Sequence, residues 1–273
     1  MKRLLTALVA LPILLYTVWN DTPYFFVALA ALAILFGLIE FYGLAAKRDL
    51  RPWRIGGSAA AMGVVGSMVL SEPGLIVATL AALVLFSLGI SLLRPDEQSR
   101  ALASVSATVF GVIYVGLLAS FMVGVRMIAD TPTTPKLAAK LLTTFFAMVM
   151  MTDTGAYYTG RTLGRHKLAP RISPGKTIEG SIGGFITAIL AGLVCRLVFF
   201  PQIPVVHVIL LGGVIGIVSQ IGDLAESMLK RGSEVKDSGS IFPGHGGMLD
   251  RVDSLLFCAP ILYYYSKLFA SRL

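Results

Sequence analysis

Charge is scarce in this chain. Only 14% of its 273 residues are Asp, Glu, Lys or Arg, and 56% are apolar, whereas soluble domains carry about 25% charge and 45–50% apolar residues. That imbalance excludes an ordinary water-soluble fold. Long polar stretches are missing too, so nothing is available to fold as a separate soluble domain, and residues 1–273 read as a single integral-membrane domain. Cysteine is nearly absent. Cys195 and Cys258, the two present, lie inside apolar blocks and read as packing residues rather than as a disulfide or metal site. Basic residues outnumber acidic ones by 23 to 15, but they are spread over short loops and never gather on one soluble face. No nucleic-acid partner is expected. No internal repeat is visible either, which argues against the inverted-repeat transporter folds.

What is present is a series of apolar blocks, each near the roughly 20 residues that a membrane-spanning helix needs. Nine emerge: about 4–19, 24–46, 55–70, 74–93, 101–128, 138–158, 180–200, 205–226 and 252–270. The expected fold class is an all-α polytopic membrane protein with about nine transmembrane helices. The first block has the basic start and apolar run of a signal peptide, but no small-x-small cleavage site, and reads as a retained helix. With the N-terminus placed in the cytoplasm, 17 of the 23 Lys and Arg residues fall on the cytoplasmic side. The positive-inside rule then puts the C-terminus on the opposite side. Residues 1–135 form the N-terminal helices, and 136–273 a catalytic half with cytoplasmic loops at about 159–179 and 227–251.

The second loop region breaks the pattern of scarcity. The 28 residues "SMLKRGSEVKDSGSIFPGHGGMLDRVDS", 227–254, carry eight charges of both signs among glycines. Just upstream, Asp223, Ser227 and Lys230 share one helical face, and Asp250 and Asp253 lie three apart on the first turn of the last helix. Three carboxylates and a hydroxyl make an oxygen set suited to Mg²⁺, with Asp223, Asp250, Asp253 and Ser227 as its ligands. The plainer reading is that Asp250 and Asp253 favour a helix N-terminus while Arg231 and Arg251 pair with them. Gly246 and Gly247, with Gly244, allow close backbone approach and N–H groups for a phosphate. His245 is either a phosphate contact or base, or a neutral loop residue. Glu40, inside the second block, is costly there and calls for an internal partner.

The other loop, "GRTLGRHKLAPRISPGKTIEGSIGG", is strongly basic. "SPGKT" tempts towards a Walker A loop, but Pro170 stands where that motif needs a glycine. Ser173, Lys176 and Thr177 remain able to grip a polyphosphate at a helix start, while for Arg161 or Lys167 singly positive-inside anchoring of the loop is the better reading. Glu179 is expected to cap the helix that follows. Asp153 and Tyr157, on the preceding helix, are candidates to order or line a site. Cations for a polyphosphate and carboxylates for a divalent ion, on one membrane face, describe metal-assisted chemistry on a nucleotide at a lipid surface.

The arrangement of Ser227, Leu229, Lys230, Arg231, Lys236, Asp237, Pro243, His245, Gly246, Gly247, Asp250, Arg251 and Asp253 resembles the signature of the phosphatidate cytidylyltransferase (CDP-diacylglycerol synthase) family, with its spacings kept. The stretch from Asp153 to Gly184 is similar to that family's second characteristic segment. The resemblance implies a transferase of phospholipid biosynthesis. Its reaction joins CTP and phosphatidate into CDP-diacylglycerol and pyrophosphate, at the cytoplasmic face of a bacterial-type inner membrane. It implies Mg²⁺, with a second or monovalent cation possible, a homodimer, and membrane lipids as surroundings. Asp223, Asp250, Asp253 and Lys230 are then the expected catalytic groups. Ser173, Lys176, Thr177, Ser227, Arg231, Lys236, His245, Gly246, Gly247 and Arg251 are the expected substrate contacts. The rival readings are a CTP-dependent lipid kinase, a cytidylyltransferase for another lipid phosphate and, more remotely, a cation-coupled transporter.

Overall fold

The structure, a computed structural model, describes residues 2–93, 95–239 and 246–269. Among them are nine helices and one small hairpin. The helices are α1 (Lys2–Trp19), α2 (Tyr24–Ala46), α3 (Arg54–Leu70) and α4 (Pro73–Leu92), then α5, built from Ala101–Gly111, a π-helical stretch Val112–Leu117 and Leu118–Arg126. After them come α6 (Leu137–Leu163), strands β1 (Lys167–Ala169) and β2 (Ser173–Thr177), α7 (Ile178–Val198), α8 (Val205–Gly232) and α9 (Leu249–Phe269). Each apolar block of the sequence has become one helix. Six of these, α2 and α4 to α8, are long and apolar enough to cross a membrane. The apolar parts of α1 and α3 are shorter, and α9 meets neither description. Among the described residues, length and composition thus mark six candidate crossings of the about nine expected. The large apolar side chains left outside, such as Val77, Leu85 and Phe86 on α4, suit a lipid environment and would aggregate in water.

The chain divides into two compact units, Met1–Met127 with Leu229–Arg251, and Ile128–Met228 with Val252–Leu273. The first is held by α2, α3 and α5. Phe41, Tyr42, Phe110 and Tyr114 form an aromatic cluster in which the Phe110 and Tyr114 rings stack 5.6 Å apart. The buried Tyr42 hydroxyl donates to the Thr108 carbonyl at 3.0 Å, so its polar end is satisfied. At the end of α2, Arg48 donates to the Gly232 carbonyl and pairs with Glu234 at 3.0 Å.

The second unit packs α6 against α7 along a seam of small residues. Gly155 faces Thr187, Gly184 faces the Thr152 carbonyl, and Gly180 faces Ala156 and Gly160. Within lipid, apolar side chains gain little by meeting each other, so close backbone approach at small residues supplies the packing. In the same way, α8 approaches α7 at Gly212 and Gly216, and approaches α9 at Gly222, which lies against the Asp253 carbonyl and Phe257.

Candidate active site

The loop between α6 and α7 is the antiparallel β1–β2 hairpin, with Lys167 opposite Thr177 and Ala169 opposite Ser173. Its ends are fastened by side chains the sequence marked for other work. Thr177 caps α7, its Oγ1 accepting the Gly180 N–H at 3.1 Å. Glu179, expected as that cap, turns back instead. It accepts the Arg165 and His166 amides and meets His166 Nδ1 at 2.6 Å. "SPGKT" is thus a strand running directly into a capped helix, and Ser173 and Lys176 are placed by it.

Beside the hairpin, inside the second unit, lies a cavity of about 430 Å³, within the usual range for small-molecule sites. Ser173, Gly175, Lys176 and Thr177 line it from the hairpin, Asp153, Tyr157, Gly160 and Arg161 from α6, and Gln220 and Asp223 from α8. Lys176 Nζ lies 2.7 Å from Asp223 Oδ2, and both side chains are partly exposed. Ser227 Oγ is 3.4 Å from Asp223 Oδ1, a long contact. Basic and hydroxyl groups therefore share a concave, partly open surface with two carboxylates, Asp153 and Asp223. Asp153, Tyr157, Ser173, Lys176, Thr177 and Asp223 come together as candidates. Gln220, on the same face of α8, also lines the cavity, one helical turn before Asp223.

Asp250 belongs to the first unit. Lys230 Nζ lies 2.6 Å from its Oδ1, with side-chain exposures of 14% and 9%. Its Oδ2 accepts the Gly247 N–H at 2.7 Å and the Ser238 N–H at 3.2 Å, and meets the Ser238 hydroxyl at 3.0 Å. The glycine-rich turn was expected to aim its N–H groups at a phosphate. Instead the Gly247 amide goes to Asp250, and the Met248 and Leu249 amides go to Glu40 on α2 at 2.9 and 2.8 Å. Gly246 has φ +79, and a Cβ there would press on Asp250 Oδ2, so its glycine character serves the carboxylate. Asp253, on α9, accepts the Ser254 N–H at 2.6 Å. Arg231, Lys236 and Arg251 are exposed, with Arg231 donating to the Val235 carbonyl at 3.4 Å. His245 lies outside the described residues.

Among the described residues, no group of three or more His, Cys, Asp or Glu side chains is placed to hold a metal ion. Asp223 and Asp250 each lie against a lysine ammonium. Asp250 holds Lys230 through Oδ1 and Ser238 and Gly247 through Oδ2, whereas Asp223, beside Lys176 and Ser227, lines the cavity. Mg²⁺ is commonly held by one or two carboxylates together with substrate phosphates, not by an all-protein cage. Asp223 fits that role.

Comparison with known proteins shows the family of the chain. The chain belongs to the Cytidylyltransferase family, matching it over residues 1–269. It is 41% identical over 160 residues to the phosphatidate cytidylyltransferase of Bacillus subtilis (strain 168), covering 58% of this chain and 56% of that one. Against the protein of the same name from Brucella suis biovar 1 (strain 1330), identity is 52% over 129 residues and 46% of each chain. The Synechocystis sp. (strain ATCC 27184 / PCC 6803 / Kazusa) phosphatidate cytidylyltransferase is 35% identical over 273 residues, 89% of this chain and 88% of that one. The chain thus spans about half the length of the Bacillus and Brucella relatives.

Proposed function

We propose that this protein is a CTP:phosphatidate cytidylyltransferase, forming CDP-diacylglycerol and pyrophosphate. The observation that carries the reading is the cavity lined by Ser173, Lys176, Thr177 and Arg161 together with Asp223, which meets Lys176 at 2.7 Å. Its lining pairs phosphate-binding groups with a carboxylate, and it belongs to a chain of the Cytidylyltransferase family.

In this reaction an anionic phosphatidate oxygen attacks the α-phosphorus of CTP, the bond from that phosphorus to the β-phosphate oxygen breaks, and pyrophosphate leaves. The nucleophile is already charged, so the protein has little proton transfer to perform. Alignment and charge neutralisation dominate. Lys176 supplies a positive charge at the cavity wall, and Asp223 holds its ammonium there. Thr177 and Gly180 fix the start of α7, whose N-terminus favours an anion. Ser173 and Arg161 offer further donors to the triphosphate. Asp223 is the residue that would hold Mg²⁺ beside substrate phosphates, and the ion would supply neutralisation of charge on the leaving pyrophosphate. Asp253 is a second candidate carboxylate. Lys230 and Asp250, with Ser227, Arg231, Lys236, His245, Gly246, Gly247 and Arg251, are carried forward as signature positions. The resemblance also extends to a homodimer, which crosslinking in membranes tests.

We place the N-terminus and both polar loops in the cytoplasm from the basic-residue asymmetry, and the bacterial-type inner membrane from the family resemblance. The experiment offers detergent-purified protein phosphatidate, Mg²⁺ and each nucleoside triphosphate in turn, following pyrophosphate and the lipid product. CTP-dependent CDP-lipid, lost in Asp223→Asn and Lys176→Met, supports the reading. Nucleoside diphosphate with a newly phosphorylated lipid would establish the kinase instead. No turnover by folded protein with any nucleotide would leave the ion-coupled transporter.

A further inference from the structure

Glu40 is a carboxylate that the reaction above does not use. It sits in α2 between Leu38 and Phe41, is 5% exposed, and is the single charged residue among the 23 of that helix. A carboxylate there is costly unless its oxygens are bonded. They are. Oε1 accepts the Met248 N–H at 2.9 Å, and Oε2 accepts the Leu249 N–H at 2.8 Å and faces the Ser238 hydroxyl at 3.0 Å. Side chains on Gly239 or Gly247 would overlap the Glu40 carboxylate. Glycine at these two positions therefore makes room for Glu40.

The same Ser238 meets Asp250 twice, through its N–H at 3.2 Å and its hydroxyl at 3.0 Å. Gly247, beside the amides held by Glu40, donates its N–H to Asp250 Oδ2 at 2.7 Å. Asp250 in turn holds Lys230. Glu40 thus orders the backbone that orders Asp250, and it fills the anion position at the start of α9. Arg48, at the other end of the same polar segment, holds Gly232 and Glu234.

We propose that Glu40 is a positioning residue of the enzyme, acting through Ser238 and the 247–249 backbone on Asp250 and Lys230. This rests on the reading that Asp250 and Lys230 belong to the cytidylyltransferase machinery. The N-terminal helices would then do more than anchor the protein in lipid. One of them sets the geometry of the signature segment.

Substitution by glutamine keeps the shape but offers one acceptor and one donor where two N–H groups and a hydroxyl point. One buried amide must then face an N–H. Glu40→Gln, Glu40→Asp, Ser238→Ala and Asp250→Asn are to be purified in detergent and compared with the unaltered protein. Their thermal unfolding, amide exchange of peptides covering 246–256 without substrate, and kcat and KM for CTP with phosphatidate and Mg²⁺ are measured. For Glu40→Gln the expected result is a kcat lowered about tenfold or more with KM for CTP changed less than about threefold, the pattern of an interaction that matters in the transition state. Exchange at 247–250 should rise by about tenfold at least. Glu40→Asp should recover part of the kcat, and adding Ser238→Ala to Glu40→Gln should cost less than it does alone.

A normal kcat in Glu40→Gln beside an inactive Asp250→Asn overturns the inference and leaves the proposed function standing. A fully active Asp250→Asn overturns the assignment of Asp250 instead, while the exchange data still report whether Glu40 orders the turn. Should Glu40→Gln fail to fold, Ser238→Ala and Glu40→Asp decide. Ser238→Ala deletes one hydroxyl and reports on the Ser238 branch, while an unaltered kcat in Glu40→Asp with raised exchange at 247–250 refutes the relay through the backbone.

Discussion

Replacing Gly180 by alanine tests the small-residue seam and the cavity together. A Cβ on Gly180 would stand 2.7 Å from the Ala156 carbonyl oxygen and 3.1 Å from Gly160 Cα, where ordinary contact begins near 3.4 Å. Both neighbours are backbone atoms of α6, so no side chain can swing away. The two helices must part by about 0.7 Å at the cavity wall, overpacking of a kind that costs about 1–3 kcal/mol. For a chain of this size that lowers Tm by roughly 2–4 °C per kcal/mol. Displacing groups by a sizeable fraction of an ångström in an aligned site also reduces turnover, and about tenfold is expected here. The assay is thermal unfolding of the detergent-purified protein together with CTP-dependent pyrophosphate release. Gly89→Ala on α4 is the control, because a Cβ there meets nothing within 4 Å. A Gly180→Ala protein as stable and active as the parent would refute the close packing of α6 on α7 at this point.

Three further outcomes are expected. Lys230→Met or Asp250→Asn alone should each destabilise the protein by about 3–5 kcal/mol, since either leaves a largely buried charge uncompensated. The pair Lys230→Met/Asp250→Leu should cost clearly less than the sum in denaturant titrations. Thr177→Val removes the acceptor for the Gly180 N–H and should cost about 1 kcal/mol, seen as a lower Tm with a raised KM for CTP. Arg48→Ala should change stability by less than about 1 kcal/mol, since its pair with Glu234 is exposed, and a larger loss would mean that its bond to the Gly232 carbonyl dominates.

The helices were legible because lipid imposes a simple rule, long apolar runs with their backbone groups satisfied internally. Block two was read as 24–46, and α2 is Tyr24–Ala46. Polar helix ends were legible too where spacing spoke for them. The eighth apolar block ends at 226, but the shared face of Asp223, Ser227 and Lys230 carries the helix further, and α8 runs to Gly232, because charged side chains at a helix end extend towards water without breaking the helix. Asp153 and Asp223 stood out as charges in or beside apolar surroundings, and Lys176 as part of a basic loop at a helix start; the three line one cavity. The glycine-rich turn was only half legible. Its need for close approach by an anion is visible locally, but the anion is Glu40, 208 residues from Met248, and no short-range pattern reports that partner. The π-helical stretch in α5 left no sign in the apolar run either.

The separation of Glu40 from its partners has a consequence for biogenesis. Ser238, Met248 and Leu249 lie 198 to 209 residues further along the chain. At roughly 5–20 residues per second, α2 has been made for about 10–40 s before they exist. During that interval the helix must hold in the bilayer with its carboxylate unmatched. Twelve Leu, Ile, Phe and Val residues make this feasible, contributing about 4–7 kcal/mol towards insertion against roughly 2.5–3.5 for one central acidic residue. The last part of the signature to be translated is therefore what relieves the earliest buried charge. A ribosome stalled before residue 238 would leave a membrane intermediate marked by that exposed need.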